Sequence, residues 1–195
     1  LDFKLLNALK KLDGVNITNH FKEFNYGAGI KSNKGSDYAE KLIGLPLLEN
    51  EQIKAYYTKI DENHILSAKD VWFESGRKPE LFFGNKILIK EQAKDETDIL
   101  ISYVEGNSVY KNGINGITSP KKESLMVLFS YLISRLYEYY IFMISGSWGT
   151  STRPQIRWKE EYLSFPIVDY SKEKGSVLID LVNKFLQPIK DYRNS

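Results

Sequence analysis

The segment from Leu125 to Ile144 constrains this chain more than any other. Of its 20 residues all but Ser130, Ser134, Arg135 and Glu138 are apolar or aromatic. A run of about 20 such residues is long enough to cross a bilayer. Arg135 and Glu138 argue against that, because near the middle of a span each charge costs about 2.5–3.5 kcal/mol. Three residues apart, they can instead pair on one face of a helix. The spacing therefore predicts one long buried helix, from about Lys122 to Ile144, inside a domain with no membrane partner. A chain of 195 residues can support such a core, since at this size roughly 70% of the unfolded surface is buried on folding.

Composition narrows the chemistry further. With 42% hydrophobic and 27% charged residues, the chain is neither disordered nor of low complexity. The absence of cysteine excludes disulfides, thiolate metal sites and a cysteine nucleophile. The two histidines, His20 and His64, are too far apart in sequence to suggest a histidine-based metal site. A net charge of +2 permits a polyanionic partner without demanding one. The chain opens Leu1-Asp2-Phe3-Lys4 with neither an initiator Met nor a signal segment, so it is expected to be a fragment of a larger cytoplasmic protein.

Along the chain the pattern changes twice. Leu5, Leu6, Leu9 and Leu12 have helical spacing and Asp13-Gly14 halts them, which suggests a linker helix in region 1–23. From Phe24 to Thr118 short apolar runs alternate with Gly, Asn, Asp and Pro. Lys86–Lys90 and Asp98–Tyr103 read as strands, the first a candidate centre of a sheet. Val109-Tyr110 and Ile114–Thr118, flanking Asn112-Gly113, read as a hairpin. Ser119-Pro120 is expected to cap the long helix. Pro154–Trp158 reads as a short strand, and Val177, Leu178, Leu181, Val182 and Phe185 share one face of a last helix, about Gly175 to Tyr192. The predicted fold is α+β: a sheet-rich part over 24–118, then a helical part over 119–195 with the long buried helix and the C-terminal helix.

Catalytic motifs are missing. There is no Pro-Pro pair anywhere, so the Asp/Asn-Pro-Pro-aromatic loop of base-amino methylation is not in this chain. Gly27-Ala28-Gly29 is a weak match to a cofactor-binding turn, because no strand–turn–helix pattern surrounds it; a tight surface turn is the simpler reading. No Pro-Asp precedes an acid-x-Lys strand, which removes the usual nuclease pattern. The acid pairs Asp61-Glu62, Asp95-Glu96 and Glu160-Glu161 are expected to be solvated. No catalytic or metal-binding residue is assigned.

Binding chemistry is better represented. Between Glu138 and Glu160 there is no acid, whereas Arg153, Arg157 and Lys159 are basic. On an extended segment Arg153, Gln155 and Arg157 share one face, and their forked donors and acceptors suit guanine and adenine edges. The preceding loop, Ser145 to Thr152, is small and hydroxyl-rich. A second acid-free stretch, Phe24 to Ser36, offers Asn25, Lys31, Ser32, Asn33 and Lys34. Ordinary polar loops would have the same composition, so this reading stays open on the residues alone.

The order of these segments resembles a known family. Tyr26-Gly27-Ala28-Gly29-Ile30-Lys31-Ser32-Asn33 resembles the Gly-x-Gly-Ile-x-(Thr/Ser)-Gly/Asn opening of a target-recognition domain. Phe82-Phe83-Gly84-Asn85-Lys86-Ile87-Leu88-Ile89-Lys90 resembles its Phe-x-Gly-Pro-Lys-Ile-Leu-Ile-Arg strand, with Asn85 in place of Pro. Leu128 to Tyr140 is similar to the family's Leu-rich helix ending in Tyr-Tyr. Thr152 to Arg157 resembles Phe-Pro-Gln-Ile-Lys, and Leu163-Ser164-Phe165-Pro166-Ile167 the closing Leu-x-x-(Leu/Ile)-Pro-Ile. The family is the TaqI-like C-terminal specificity domain of adenine-specific DNA methyltransferases, including type IIG restriction–modification enzymes; recognition domains of type I specificity subunits are close to it.

The resemblance implies a parent that methylates adenine using S-adenosylmethionine held by a separate catalytic domain, with no cofactor in this fragment. The fragment would grip double-stranded DNA and read its sequence while the target base is flipped into that domain. The expected DNA-contacting residues are Lys31, Ser32, Asn33, Lys34, Lys86, Ser151, Thr152, Arg153, Gln155 and Arg157. Two alternatives remain: a type I specificity subunit and a non-catalytic protein-interaction module.

Overall fold

In the computed structural model the described residues are 4, 7–8, 11, 16–31, 37–67, 72–73, 78–92, 99–146, 157–167 and 172–195, with backbone alone at 37, 73 and 172–174. Leu5, Leu6, Leu9, Leu12, Asp13-Gly14, Asp95-Glu96 and Pro154–Ile156 lie outside them. Among the described residues a short helix α1 (Ile17–His20) leads into strand β1 (Asn25–Ala28). Strands β2 (Asp37–Tyr38), β3 (Leu47–Leu48), β4 (Tyr56–Tyr57), β5 (Trp72–Phe73), β6 (Lys86–Lys90), β7 (Ile101–Val104), β8 (Val109–Tyr110) and β9 (Ile114–Thr118) follow. Helices α2 (Lys122–Leu132), α3 (Arg135–Ile144) and α4 (Lys172–Asn194) complete an α+β fold.

The main sheet has five strands in the order β1-β9-β6-β7-β4. β6 lies at its centre, antiparallel to both β7 and β9, which is why Lys86–Lys90 reads as an unbroken apolar run between two lysines. A strand covered on both faces needs no polar alternation. Ile87 and Ile89 point into a core shared with Leu125, Leu128 and Phe129 of α2 and Val182 and Leu186 of α4. Leu88 points the other way, into a second core with Leu48, Leu81, Phe82 and Tyr110. Helices thus cover one face, and short strands and 3-10 turns cover the other.

The expected hairpin at Asn112-Gly113 is corrected. The turn is present, with Gly113 at φ 92°, but β8 pairs in parallel with β3 while β9 joins the main sheet. Tyr110 is buried between these layers, so the chain turns from one sheet into the other.

The long helix is corrected too. It is two helices, bent by 62° at the break between Leu132 and Arg135. Ser134 makes the break: it is extended (φ −78°, ψ 148°) and its hydroxyl accepts a hydrogen bond from the Tyr137 amide at 3.2 Å, capping α3. Ser134→Ala should lower unfolding free energy by about 1 kcal/mol, the usual worth of such a cap, with a matching shift of the urea midpoint. No single helix among the described residues is long and apolar enough to cross a membrane. Arg135 and Glu138 do pair, Nη1 to Oε2 at 2.9 Å, but at the surface, with the arginine 94% exposed. Ser119 and Pro120 precede the helix rather than cap it; Lys121 is the cap residue, and its amide donates to the Ser119 hydroxyl.

Of the predicted face of the last helix only Val182 is fully buried, and the inward stripe is shifted from the one predicted. Val182 and Leu186 are buried, with Ile179 and Ile189 packed beside them. Val177 and Leu181 are each 56% exposed. Phe185 meets Tyr56 edge to face at 5.0 Å on the outside. Both stripes are apolar, and only contact with α2 and β4 decides between them.

Candidate nucleic-acid interface

The Gly27-x-Gly29 pair is neither a cofactor turn nor a surface turn. Gly27 and Ala28 lie in β1, paired with Gly116 and Asn115 of β9. A side chain at Gly29 would run into the carbonyl oxygens of Tyr110 and Lys111. Backbone bonds fix that crossing: Gly29 N donates to Ile114 O at 2.9 Å, Ile30 N to Tyr110 O at 2.9 Å, and Asn112 N to Ile30 O at 2.7 Å. The space that a cofactor phosphate or carboxylate would need is filled by main chain. These residues therefore do not fit S-adenosylmethionine.

The same crossing carries Lys31 to one end of the main sheet. Lys31 bridges Trp72, with amide-to-carbonyl bonds of 2.9 and 3.2 Å in the two directions. Trp72 packs edge to face on Tyr38 at 4.8 Å. The carboxyl end of β6 arrives at this end of the sheet as well: Lys90 pairs with Ile114, and Glu91 N donates to Gly113 O. Tyr162 donates to Lys90 O at 2.9 Å and contacts Trp158. The Arg157 turn is thereby attached to the same place.

Arg157 is not in a strand. Its carbonyl accepts from the amides of Glu161 and Tyr162 at 3.0 and 3.1 Å, closing a helical turn. The Glu161 carboxylate accepts from the Arg157 amide at 2.6 Å and lies 3.5 Å from its guanidinium. Glu161 is 3% exposed, so only Glu160 of that acid pair is solvated as expected. Arg157, at 67% side-chain exposure, retains most of its guanidinium for a partner. The structure thus brings Lys31 and Arg157 to one sheet end. Ser32, Asn33, Lys34, Ser151, Thr152, Arg153 and Gln155 lie outside the described residues.

Lys86 is the correction. It opens β6 at the opposite sheet end, four residues or about 13 Å from Lys90, and has 0% exposure. Its ammonium donates to Gly84 O and Gly106 O, each at 2.7 Å, and to Ser108 Oγ at 3.2 Å. Two asparagines complete a reciprocal clamp: Gly84 N donates to Asn107 Oδ1 at 2.7 Å, and Gly106 N to Asn85 Oδ1 at 3.0 Å. Both glycines have positive φ, 71° and 90°. Burial lowers the Lys86 ammonium pKa to about 7. A buried lysine bound to three acceptors cannot reach a phosphate; it ties two turns together. Asn85, where the resembling family has Pro, caps one of those turns.

Around Lys86 the surface carries Glu23, Glu80 and Lys122 beside a groove closed by Asn85. The other end holds Lys31, Lys90, Lys111 and Arg157 together with Glu49, Glu91 and Glu161. Sequence reasoning missed Lys111, whose ammonium meets Glu49 at 2.7 Å, and Asn50, which donates to Asn112 O. Lys111 directly precedes the Asn112-Gly113 turn, so its position was available; its proximity to Lys31 was not, because it depends on the bridge between Ile30 and Lys111.

No family model and no curated protein matches this chain. Solved structures do share its fold. It is similar to the type IIL restriction-modification enzyme MmeI in complex with DNA (TM-score 0.50, 17% identity, 65% of this chain and 16% of that one). It is similar to the type IIG restriction endonuclease BpuSI (TM-score 0.51, 11% identity, 92% of this chain and 28% of that one). It is also similar to the HsdS subunit from Thermoanaerobacter tengcongensis (TM-score 0.50, 12% identity, 99% of this chain and 45% of that one). The chain spans less than half the length of each.

Proposed function

We propose that this chain is the DNA-recognition part of a cytoplasmic restriction–modification system, reading double-stranded sequence for an adenine-specific methyltransferase domain that binds S-adenosylmethionine. The observation that carries this reading is the fold: over 92% of its length the chain follows a type IIG restriction endonuclease, and over 65% an enzyme solved on DNA. The gathering of Lys31, Lys90 and Arg157 at one sheet end supports it, because phosphate contacts need cations on one surface. In this reading Lys31 and Arg157 grip phosphates. Lys34 contacts a further phosphate, and the base-edge contacts come from Asn33 and Arg153. Arg153 is the preferred guanine reader, and Gln155 braces its loop.

The test is equilibrium binding of a short mixed-sequence duplex between about 50 and 200 mM salt. Binding should weaken steeply with salt. The double variant Lys31→Ala with Arg157→Ala should weaken it for every sequence and shallow the log–log slope by about 1.8, or about 0.9 per lost contact. Lys86→Met should leave the slope unchanged. Absence of salt-dependent binding would overturn the reading. The agreement over 99% of the chain with the HsdS subunit favours a second version, in which the methyltransferase is a separate polypeptide. An Asn-Pro-Pro-Tyr-type motif in the same reading frame would decide for the fused form.

A further inference from the structure

At the proposed DNA-facing end Glu49 meets Lys111, as Glu161 meets Arg157, placing a carboxylate where a phosphate would be expected. Glu49 follows β3, and its Oε1 accepts from the Lys111 ammonium at 2.7 Å. The same oxygen lies 3.8 Å from His64 Nε2, a buried nitrogen with no hydrogen-bond partner among the described residues. Glu49 and Lys111 sit on two interlocked turns, and His64 on a third segment whose carbonyl accepts from Leu47 N at 2.7 Å. Asn50 bonds to Asn112 O, and a side chain at Gly113 would touch Asn50. Lys111 is held beside the Lys31 strand by the Ile30 bridge.

We infer that Glu49 is a specificity-determining residue: it occupies Lys111 when DNA is absent or wrong, and yields it to a backbone phosphate when the right duplex docks. This rests on the DNA-recognition reading. Three observations carry it. The pair is about one-third exposed on each side, 36% for Lys111 and 33% for Glu49, so Lys111 is accessible to a polyanion without unfolding. Exposed pairs of this kind are weak, so a phosphate can displace the carboxylate. In its Nε2–H tautomer His64, 3.8 Å away, offers the displaced carboxylate a second donor.

The consequence is a lowered affinity for arbitrary DNA. Non-specific binding comes almost wholly from phosphate contacts. A lysine neutralised by its own glutamate adds little to that background. It contributes once the remaining contacts have brought a phosphate close enough to compete. Holding the background down widens the ratio of specific to non-specific binding, the quantity that selects a site among many competitors.

The experiment measures binding of a mixed-sequence duplex across a salt series for the wild type, Glu49→Gln, Lys111→Ala and the double variant. Glutamine keeps the shape of Glu49, and Glu49→Ala is a second version should glutamine perturb the turn. Glu49→Gln should bind about eightfold tighter near 0.1 M salt and steepen the log–log slope by about 0.9, one phosphate contact. Lys111→Ala alone should change non-specific binding less than twofold, yet abolish the gain in the double variant. If the wild type binds with salt dependence and neither Glu49 variant binds tighter, the brake is wrong and the recognition reading stands. If the gain survives loss of Lys111, general charge is responsible and the pair is not a switch. If neither wild type nor variants bind at low salt, the recognition reading itself falls.

Discussion

Lys86→Ala should destabilise the domain by about 3–5 kcal/mol, the range for emptying a fully buried long side chain, and its pH dependence should identify the cause. The Lys86 ammonium has a pKa near 7 in the folded protein against an ordinary value of 10.5. Between those values the unfolded chain binds the extra proton, so stability rises with pH. Below about 7 the lysine is charged in both states and the full cost of burying it is present. Folded stability should therefore climb by about 3 kcal/mol from pH 7 to about 9.5, near the limit of about 1.4 kcal/mol per pH unit for one proton. Above about 10 the tyrosines reverse the trend. Burial raises Tyr137 and Tyr162, and raises Tyr103 to about 12; their protons are retained only in the folded state. Lys86→Met, with no proton to exchange, should flatten the rise below pH 9.5. Urea titrations at several pH values, for the three proteins, measure both effects. A rise that persists in Lys86→Met would place its origin elsewhere.

Gly29→Ala should be nearly as damaging, at about 3 kcal/mol or more, the upper end for overpacking. The added methyl meets the main-chain carbonyls of Tyr110 and Lys111, and neither can rotate away. Gly27→Ala is the control, two residues earlier, within β1. There the methyl meets only the Leu81 side chain, which can change rotamer, so about 1 kcal/mol is expected. Equal losses at the two positions would mean that the crossing is less rigid than its three backbone hydrogen bonds require. Thermal unfolding of the two variants side by side settles the comparison.

What could be read from sequence was whatever depends on near neighbours. The Lys86–Lys90 run announced a central strand because five consecutive residues report burial on both faces. Asn112-Gly113 announced a turn because the positive φ of Gly113 is a local need. The Arg135–Glu138 pair was legible from its spacing. What could not be read depends on partners distant in the chain. Lys86 at the head of an apolar strand looks like any lysine at a strand end, and its burial follows from Gly106 and Ser108, some twenty residues later. The two-residue strands β3 and β8 carry no period of their own. Ser134 was a legible cap, hidden by the continuity of the apolar run around it. At the candidate site, Lys31 and Arg157 stood out as cations in acid-poor stretches, whereas Lys111 drew no notice without the Ile30 bridge.

The clamp around Lys86 and the cationic end of the sheet sit at opposite tips of the same strands. Lys31 and Arg157, the points at which the neighbouring loops join the described residues, therefore lie far from the contacts that set strand register. A lineage carrying this fold can alter those loops while inheriting an intact register from the other tip. Mutational drift is thereby divided in space: the Lys86 tip should tolerate almost none of it, and the cationic tip should accumulate most. Deep mutational scanning for folded protein alone would draw that boundary across the middle of β6.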